Sequence, residues 1–401
     1  MPPPYDRIIE PERSPLFSRG VVAGLLLVAV CGLSARAAGD LGTIEAPVTA
    51  QAPATRIDPP PRRVTVLAGG DVLTESRVRA SAAAAGARTG QRFDFEPMFA
   101  ELRPVIESAD LAICNMEIPI GAPGGPYGYA GRSPYGGNLL LAPYEIASGL
   151  RSAGFDRCST ASNHAYDTGT AGVVSTIEAL HTHGISTVGT ARSSAEAVDQ
   201  IFTVQGVDIA HLSYTTYSNT VRPTAGWLLN YTRNPSVVAS AVGRARASGA
   251  EIVLVSLHLS RELATFPAAD DRALVTQLVA LADVDAVFLH GPHVVQPFEM
   301  VGGTPVWWSL GNFVSEMGPP SVGRYSSPRT SDGLLAYVEF TEAPSGRYTA
   351  RPMSVAICND FLDRTVRSAT VALTRQDLPD RIRSELSACL GRTRGLVPNV
   401  L

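Results

Sequence analysis

Apolar residues in this chain gather into short runs, and the runs end on polar clusters. Residues 64–67 (Val-Thr-Val-Leu) precede Gly69, Gly70 and Asp71, and residues 111–114 precede Asn115, Met116 and Glu117. Residues 252–257 lead to His258, and residues 286–289 lead to His290-Gly291-Pro292-His293. Residues 306–308 lead to Ser309-Leu310-Gly311-Asn312-Phe313. Short β-rich runs bounded by turn residues read as buried strands, and a further strand is expected at 209–214. Helices are expected between them, at 95–108, 143–153, 170–183, 235–248 and 270–282, from their length and apolar spacing. Asn234 before Pro235 matches an N-cap followed by proline in the first turn. Strands alternating with helices predict an α/β domain. Polar residues after strand ends predict one crevice, because open α/β sheets bind ligands there. The Gly/Pro/Tyr-rich segment 121–137 reads either as a lid or substrate loop or as a plain surface excursion.

The first 62 residues do not follow this pattern. Arg7, Arg13 and Arg19 precede an apolar stretch at 21–33, and Ala35, Arg36 and Ala37 offer a small-residue cleavage site. This is the layout of a signal peptide. A spanning helix needs roughly 20 apolar residues, so an uncleaved anchor requires extending the stretch through Gly20 and Ala35. Both readings place the remainder outside the cytoplasm, secreted or anchored to the membrane. Residues 39–62 form a spacer rich in Ala, Pro and Thr, expected to be extended or disordered. The expected organisation is therefore a signal or anchor (1–38), a linker (39–62), a main domain (63–345) and a C-terminal extension (346–401).

The chain carries 33 basic and 37 acidic side chains among 401 residues, and its net charge is −4. With no basic block, a nucleic-acid partner is not expected. Of the five cysteines, Cys114 and Cys158 read as buried small hydrophobes. Cys358 and Cys389 could form a disulfide in an exported protein.

Four of the seven histidines lie in the polar clusters: His164, His258, His290 and His293. Imidazole and carboxylate together are the usual ligands of borderline divalent metals. Asn163, His164 and Asp167 stand just before a helix expected from about Thr170, where an anion would also be favoured. A nucleophilic serine is not indicated, since no Gly-x-Ser-x-Gly elbow is present. His181, His183 and His211 read as structural.

In this order, Gly70-Asp71, Asn115-Met116-Glu117, Ser162-Asn163-His164 with Asp167 and Gly169, Ser256-Leu257-His258, the His290 to Gln296 segment and Ser309 to Val314 resemble the CapA-type capsule-synthesis family of the calcineurin-like metallophosphatase superfamily. The resemblance spans roughly residues 63–340. It implies a four-layer α-β-β-α sandwich of two mixed sheets and a link to poly-γ-glutamate capsule synthesis and export. It implies a divalent metal (manganese, zinc or iron) among Asp71, Glu117, Asn163, His258, His290 and His293. His164, Asp167 and His258 would handle protons, and Asn115, Glu262 and Asn312 would meet the substrate. The chain departs from the metallophosphatase pattern at Asp-x-His, because Val72 and Leu73 follow Asp71. Relatives often carry Trp-Gly and then Glu after the His258 position, where this chain has Leu259-Ser260-Arg261-Glu262.

Three functions follow as expectations. The first is an exported or anchored protein of cell-surface polymer assembly, acting as a metal-dependent hydrolase if it is an enzyme. Its partners would be an anionic polymer or precursor, the membrane and other capsule-synthesis proteins. The second is a non-catalytic polymer-binding scaffold. The third is a secreted metal-dependent phosphodiesterase.

Overall fold

A computed structural model describes residues 60–401 apart from residues 199, 260, 320 and 322. The expected signal or anchor segment and nearly all of the linker lie outside the described residues. Among the described residues, no helix is long and apolar enough to cross a membrane.

The strands, in chain order, are β1 (Arg63–Val72), β2 (Leu111–Met116), β3 (Gly128–Arg132), β4 (Asn138–Leu141), β5 (Arg157–Ser159), β6 (Ser186–Val188), β7 (Ile201–Val204), β8 (Val207–Thr215), β9 (Ile252–His258), β10 (Ala286–His290), β11 (Phe298–Val301), β12 (Thr304–Trp307), β13 (Asn312–Val314), β14 (Asp332–Glu342), β15 (Tyr348–Asn359) and β16 (Val366–Ser368). One sheet runs β16-β15-β14-β1-β2-β5-β6, with β13 beside β1, and the other runs β11-β12-β10-β9-β8-β7. In the first, β1, β2, β5 and β6 are parallel and β14 to β16 add antiparallel. In the second, β8, β9, β10 and β12 are parallel between antiparallel edges β7 and β11. Both sheets are mixed.

The period-2 alternation along each strand decides the layering. Val64, Val66 and Ala68 of β1 share a core with Ile252 and Leu254 of β9 and Phe288 of β10. This is the interior between the sheets. Leu67 points the other way, into a cluster with Val78, Ile146, Leu150 and Leu180. Those residues come from the helices Ser76–Thr89, Ile146–Ala153 and Gly169–Thr182. On the second sheet, Val253, Val255 and Leu257 face Val238, Val242 and Val275 of the helices Pro235–Ala247 and Ala269–Leu281. Full burial of each such Val, Leu or Phe side chain contributes about 1.5–3 kcal/mol. The result is the expected α-β-β-α sandwich.

Three local differences from the sequence reading have physical causes. The helix expected at 95–108 is two short ones, Glu96–Phe99 and Arg103–Ile106, each with a proline in its first turn. Pro104 has no N–H to give and would clash with the preceding turn, so one continuous helix cannot form. Residues 346–401, expected as an extension, supply β15 and β16. β15 pairs with β14 from Asp332↔Cys358 to Glu342↔Tyr348. The helices Ala369–Leu373 and Asp380–Arg394 insert Ala372, Ile382 and Leu386 into the core between the sheets. Cys114 and Cys158, expected as separate buried hydrophobes, are buried but also joined, because β2 and β5 bring them into direct register. Cys358 and Cys389 form a second disulfide, tying β15 to the last helix. The helix Pro235–Ala247 is capped by the Asn234 side chain, which accepts from the Ser236 amide at 3.0 Å.

Candidate metal centre

Strand register builds the centre. Asp71, near the end of β1, lies opposite Asn115 of β2 on one side and Asn312 of β13 on the other. His258 and His290 are the last residues of β9 and β10 and lie opposite each other. Glu117 follows β2 directly. The C-terminal ends of parallel strands from both sheets therefore meet at one point.

Two glycines permit this convergence. A Cβ on Gly70 would lie 2.1 Å from the Gly311 carbonyl oxygen, so only glycine lets β1 and the β13 segment approach. Gly291 has φ +99°, and a Cβ there would lie 2.2 Å from the Leu259 carbonyl oxygen and 2.9 Å from His258 Nε2. The Gly291 amide donates to Asp71 Oδ2 at 3.1 Å. His293, at φ +58°, holds the left-handed conformation despite its side chain. That local strain is of the kind found where surrounding structure fixes a functional residue.

Asp71, Glu117 and His293 are buried and offer ligand atoms within 4.8 Å of one another. His293 Nδ1 lies 3.2 Å from Asp71 Oδ2, and its Nε2 lies 3.7 Å from Glu117 Oε1. His290 Nδ1 is 3.5 Å from Asp71 Oδ1. His258 Nε2 is 3.9 Å from Glu117 Oε1. Both oxygens of Glu117 and both ring nitrogens of His258 and His290 are buried without a hydrogen-bond partner. Buried polar atoms are normally satisfied, so this concentration of orphans calls for an explanation. Carboxylate oxygens and imidazole nitrogens facing one point are a donor set that fits a divalent cation.

The electrostatics agree with that fit. Burial opposes ionisation of Asp71, but the neighbouring His290 and His293 rings outweigh it and hold the carboxyl below its ordinary range. Burial pushes Glu117 well above the usual carboxylate range, with His293 opposing and Asp71 reinforcing the rise. Burial drives His258 down to about 3 although Asp71 pulls the other way, leaving its lone pairs available. For His293 burial also lowers, but Glu117 and Asp71 win and raise it to about 9. Protons thus collect where a cation would relieve the same charges.

Asn163 is buried beside this cluster with its side-chain oxygen unpartnered. Ser162 Oγ donates to the Glu117 carbonyl, linking that loop to β2. His164 and Asp167 lie toward the mouth, with Nδ1 and Oδ2 2.6 Å apart. Asp167 Oδ2 also accepts from the Leu140 amide at 2.7 Å, so β4 helps hold the pair. Burial raises the Asp167 carboxyl, with His164 opposing. Glu262 is at the rim, accepting from Tyr325 Oη at 2.7 Å and paired with Arg324. The cleft has a volume of about 520 Å³. Glu117, His164, His293 and Glu262 reach its wall, together with Leu73.

Two expectations change. Asn115 and Asn312, assigned to substrate, point inward at metal-ligand candidates. Asn115 Nδ2 donates to Asp71 Oδ1 at 2.8 Å and its oxygen accepts from Ser159 Oγ at 2.6 Å. Asn312 Oδ1 lies 3.0 Å from His293 Nδ1, and its Nδ2 donates to the Thr330 carbonyl at 2.9 Å. Register beside Asp71 consumes both amides, so they orient Asp71 and His293, the ligand candidates. The sequence reading also missed Asn219 and Tyr217. Asn219 Nδ2 lies 3.1 Å from His164 Nε2. The partly buried Tyr217 ring sits 5.9 Å from that of His258. Both follow the apolar run of β8, so the rule that found the other clusters would have reached them. Two arginines stand elsewhere: Arg132, at the end of β3, bonds Asn138, and Arg222 lies over Tyr231.

Several known proteins are similar to this chain. The "PGA biosynthesis protein CapA" of Bacillus subtilis is 27% identical over 274 residues, covering 65% of this chain and 65% of that protein. The "Capsule biosynthesis protein CapA" of Bacillus anthracis is 26% identical over 233 residues, covering 57% and 56%. The match thus spans less than two thirds of each relative's length. Among solved structures, the calcineurin-like phosphoesterase YfkN from Bacillus subtilis aligns at TM-score 0.40 and 12% identity, over 83% of this chain and 98% of that one. A Thermus thermophilus sulfate thiohydrolase, SoxB, aligns at 0.42 and 13%, over 82% and 61%. The family model "Bacterial capsule synthesis protein PGA_cap" matches residues 65–317, more than half of the chain. The chain belongs to this bacterial capsule synthesis protein family.

Proposed function

We propose that this chain acts outside the cytoplasm in synthesis or export of an anionic capsule polymer, as a metal-dependent hydrolase of the polymer or a phosphoester precursor. Its N-terminal segment would export it or hold it at the membrane, where other capsule-synthesis proteins would meet it. The observation that carries the reading is the set of unpartnered buried donors on Glu117, His258 and His290 beside Asp71 and His293. Those five residues, with the Asn163 amide oxygen, would hold manganese, zinc or iron. When bound, a divalent ion supplies Lewis acidity toward a substrate oxygen and lowers the pKa of water.

The remaining steps belong to side chains. His258 has no exposed surface and serves better as a ligand than as a proton carrier. His164 borders the cleft and is held by Asp167 on one face and Asn219 on the other. In this reading it would exchange a proton at Nε2 with the reacting oxygen, Asp167 fixing the ring through Nδ1. Arg77 and Arg79 at the mouth would draw an anionic chain toward the centre.

The test is hydrolysis of bis(p-nitrophenyl) phosphate and shortening of a polyglutamyl chain by the purified protein. His258→Ala combined with His290→Ala should abolish whichever activity is present, and full retention would sink the reading. A scaffold reading is favoured by one observation: Leu73, two residues after Asp71, puts an apolar side chain in the cleft wall. Unchanged polymer binding by the double variant, with no hydrolysis by the parent, would support the scaffold.

A further inference from the structure

A second polar cavity, about 140 Å³ in volume, shares no wall residue with the cleft. It opens between the two sheets beside β5, β6 and β8, and is bordered by residues 189–191 and 196–198, Gln200 and Trp227. Its wall includes Arg157, the first residue of β5, which is only 3% exposed. Arg157 Nη1 donates to Ser186 Oγ at 3.0 Å, and the guanidinium lies over the Phe202 ring at 4.7 Å. Its Nε has no hydrogen-bond partner. Among the described residues, no carboxylate forms an ion pair with it, whereas the nearby Glu196 is engaged by Arg192. Burial lowers the guanidinium to about 10, so it remains charged at neutral pH. An uncompensated buried charge is costly and is normally paired.

His211 of β8 borders the same cavity and is 1% exposed. Its Nε2 lies 2.9 Å from Ser256 Oγ, while its Nδ1 has no partner. Burial, reinforced by Arg157, keeps this imidazole neutral, and a neutral ring can donate from Nδ1. Two buried nitrogens from opposite sheets therefore lack partners around one cavity, and one belongs to a cation with no carboxylate paired to it among the described residues.

We propose that this cavity is a second, oxyanion-binding site, taking a phosphate group or a small carboxylate on the Arg157 guanidinium with His211 as a second donor. Guanidinium geometry suits either oxyanion, because both can accept two parallel N–H bonds. Arg244 and His181 also border the space; burial, with Arg192 and Arg157, lowers the His181 imidazole, so it enters as a polar ring rather than as a cation.

The test is calorimetric titration of the full chain with inorganic phosphate and, separately, succinate, at constant ionic strength. The same titrations on a His290→Ala background separate this site from the cleft. Saturable binding of either anion is expected, unchanged by His290→Ala, at least tenfold weaker in Arg157→Lys and absent in Arg157→Met. The anion that binds identifies the group, phosphate or carboxylate. Arg157→Lys keeps the buried charge and decides the matter should Arg157→Met not fold. No saturable binding in the parent, equal affinity in Arg157→Lys, or binding lost with His290→Ala would each overturn the proposal.

Discussion

Alanine at Gly291 should collapse the candidate metal centre without replacing a single candidate ligand. Adding one carbon at φ +99° costs about 1–2 kcal/mol from the backbone alone. The new Cβ would also lie 2.2 Å from the Leu259 carbonyl oxygen and 2.9 Å from His258 Nε2. A carbonyl held in a strand end cannot swing away like a flexible side chain. Overpacking of this kind adds roughly 1–3 kcal/mol, giving about 2–5 kcal/mol in total. Relief by backbone movement would pull the Gly291 amide off Asp71 and shift His290 and His293 together. Gly303 provides the control, with φ +91° and no atom within 4 Å of an added Cβ. Gly303→Ala should lose only the backbone share. Urea unfolding of both variants gives the two free energies, and elemental analysis gives their metal content. Equal destabilisation of the two, or full metal content in Gly291→Ala, would refute the claim that close approach at Gly291 shapes the centre.

Asn115→Ala removes a donor to Asp71 and leaves Ser159 Oγ only its longer contact, 3.4 Å, to the Cys114 carbonyl. Metal affinity should fall by roughly 10–100-fold with all ligands present, as read by competition with a chromogenic chelator. Asp332, buried against Arg392, has its carboxyl raised by burial to about 6 against an ordinary 3.8. Its folded form therefore holds a proton more tightly than its unfolded form. The associated stability is present below about pH 4 and lost as pH rises through 6, amounting to roughly 3 kcal/mol. Urea midpoints from pH 4 to 7 should fall in the parent relative to Asp332→Asn, with a pH-independent offset from the lost Arg392 contact. A flat difference would contradict the assigned burial cost. Cys358–Cys389 closes a sequence separation of 31 residues, for which chain entropy predicts about 3–4 kcal/mol. Cys389→Ser should lower the urea midpoint correspondingly, and an unchanged midpoint would mean the link adds nothing.

Much of this architecture is legible in the sequence because the sandwich buries both faces of its central strands. Residues 286–289 are an unbroken apolar run and 252–257 are broken only by Ser256 for that reason, and their polar successors had to fall at one end of a parallel sheet. The cleft histidines were legible as a group for the same reason. What the sequence hid depends on register and on long-range pairing. Asn115 looked like a free amide until β1 placed Asp71 beside it. The Cys114–Cys158 link needs the knowledge that β2 and β5 are neighbours. β15 alternates only weakly, since its first half is partly exposed, and so residues 346–401 read as an appendage. Arg157 sits in an ordinary strand, and only the packing of β5 near β8 reveals a buried cation with no carboxylate paired to it among the described residues.

The central claim is that the buried donors around Asp71 and Glu117 hold a divalent ion. The direct measurement is elemental mass spectrometry of the chain purified without chelators, beside His258→Ala. One or two equivalents of manganese, zinc or iron, lost or sharply reduced in the variant, is the predicted result. No metal in the parent, even after incubation with each of the three ions, would contradict the claim.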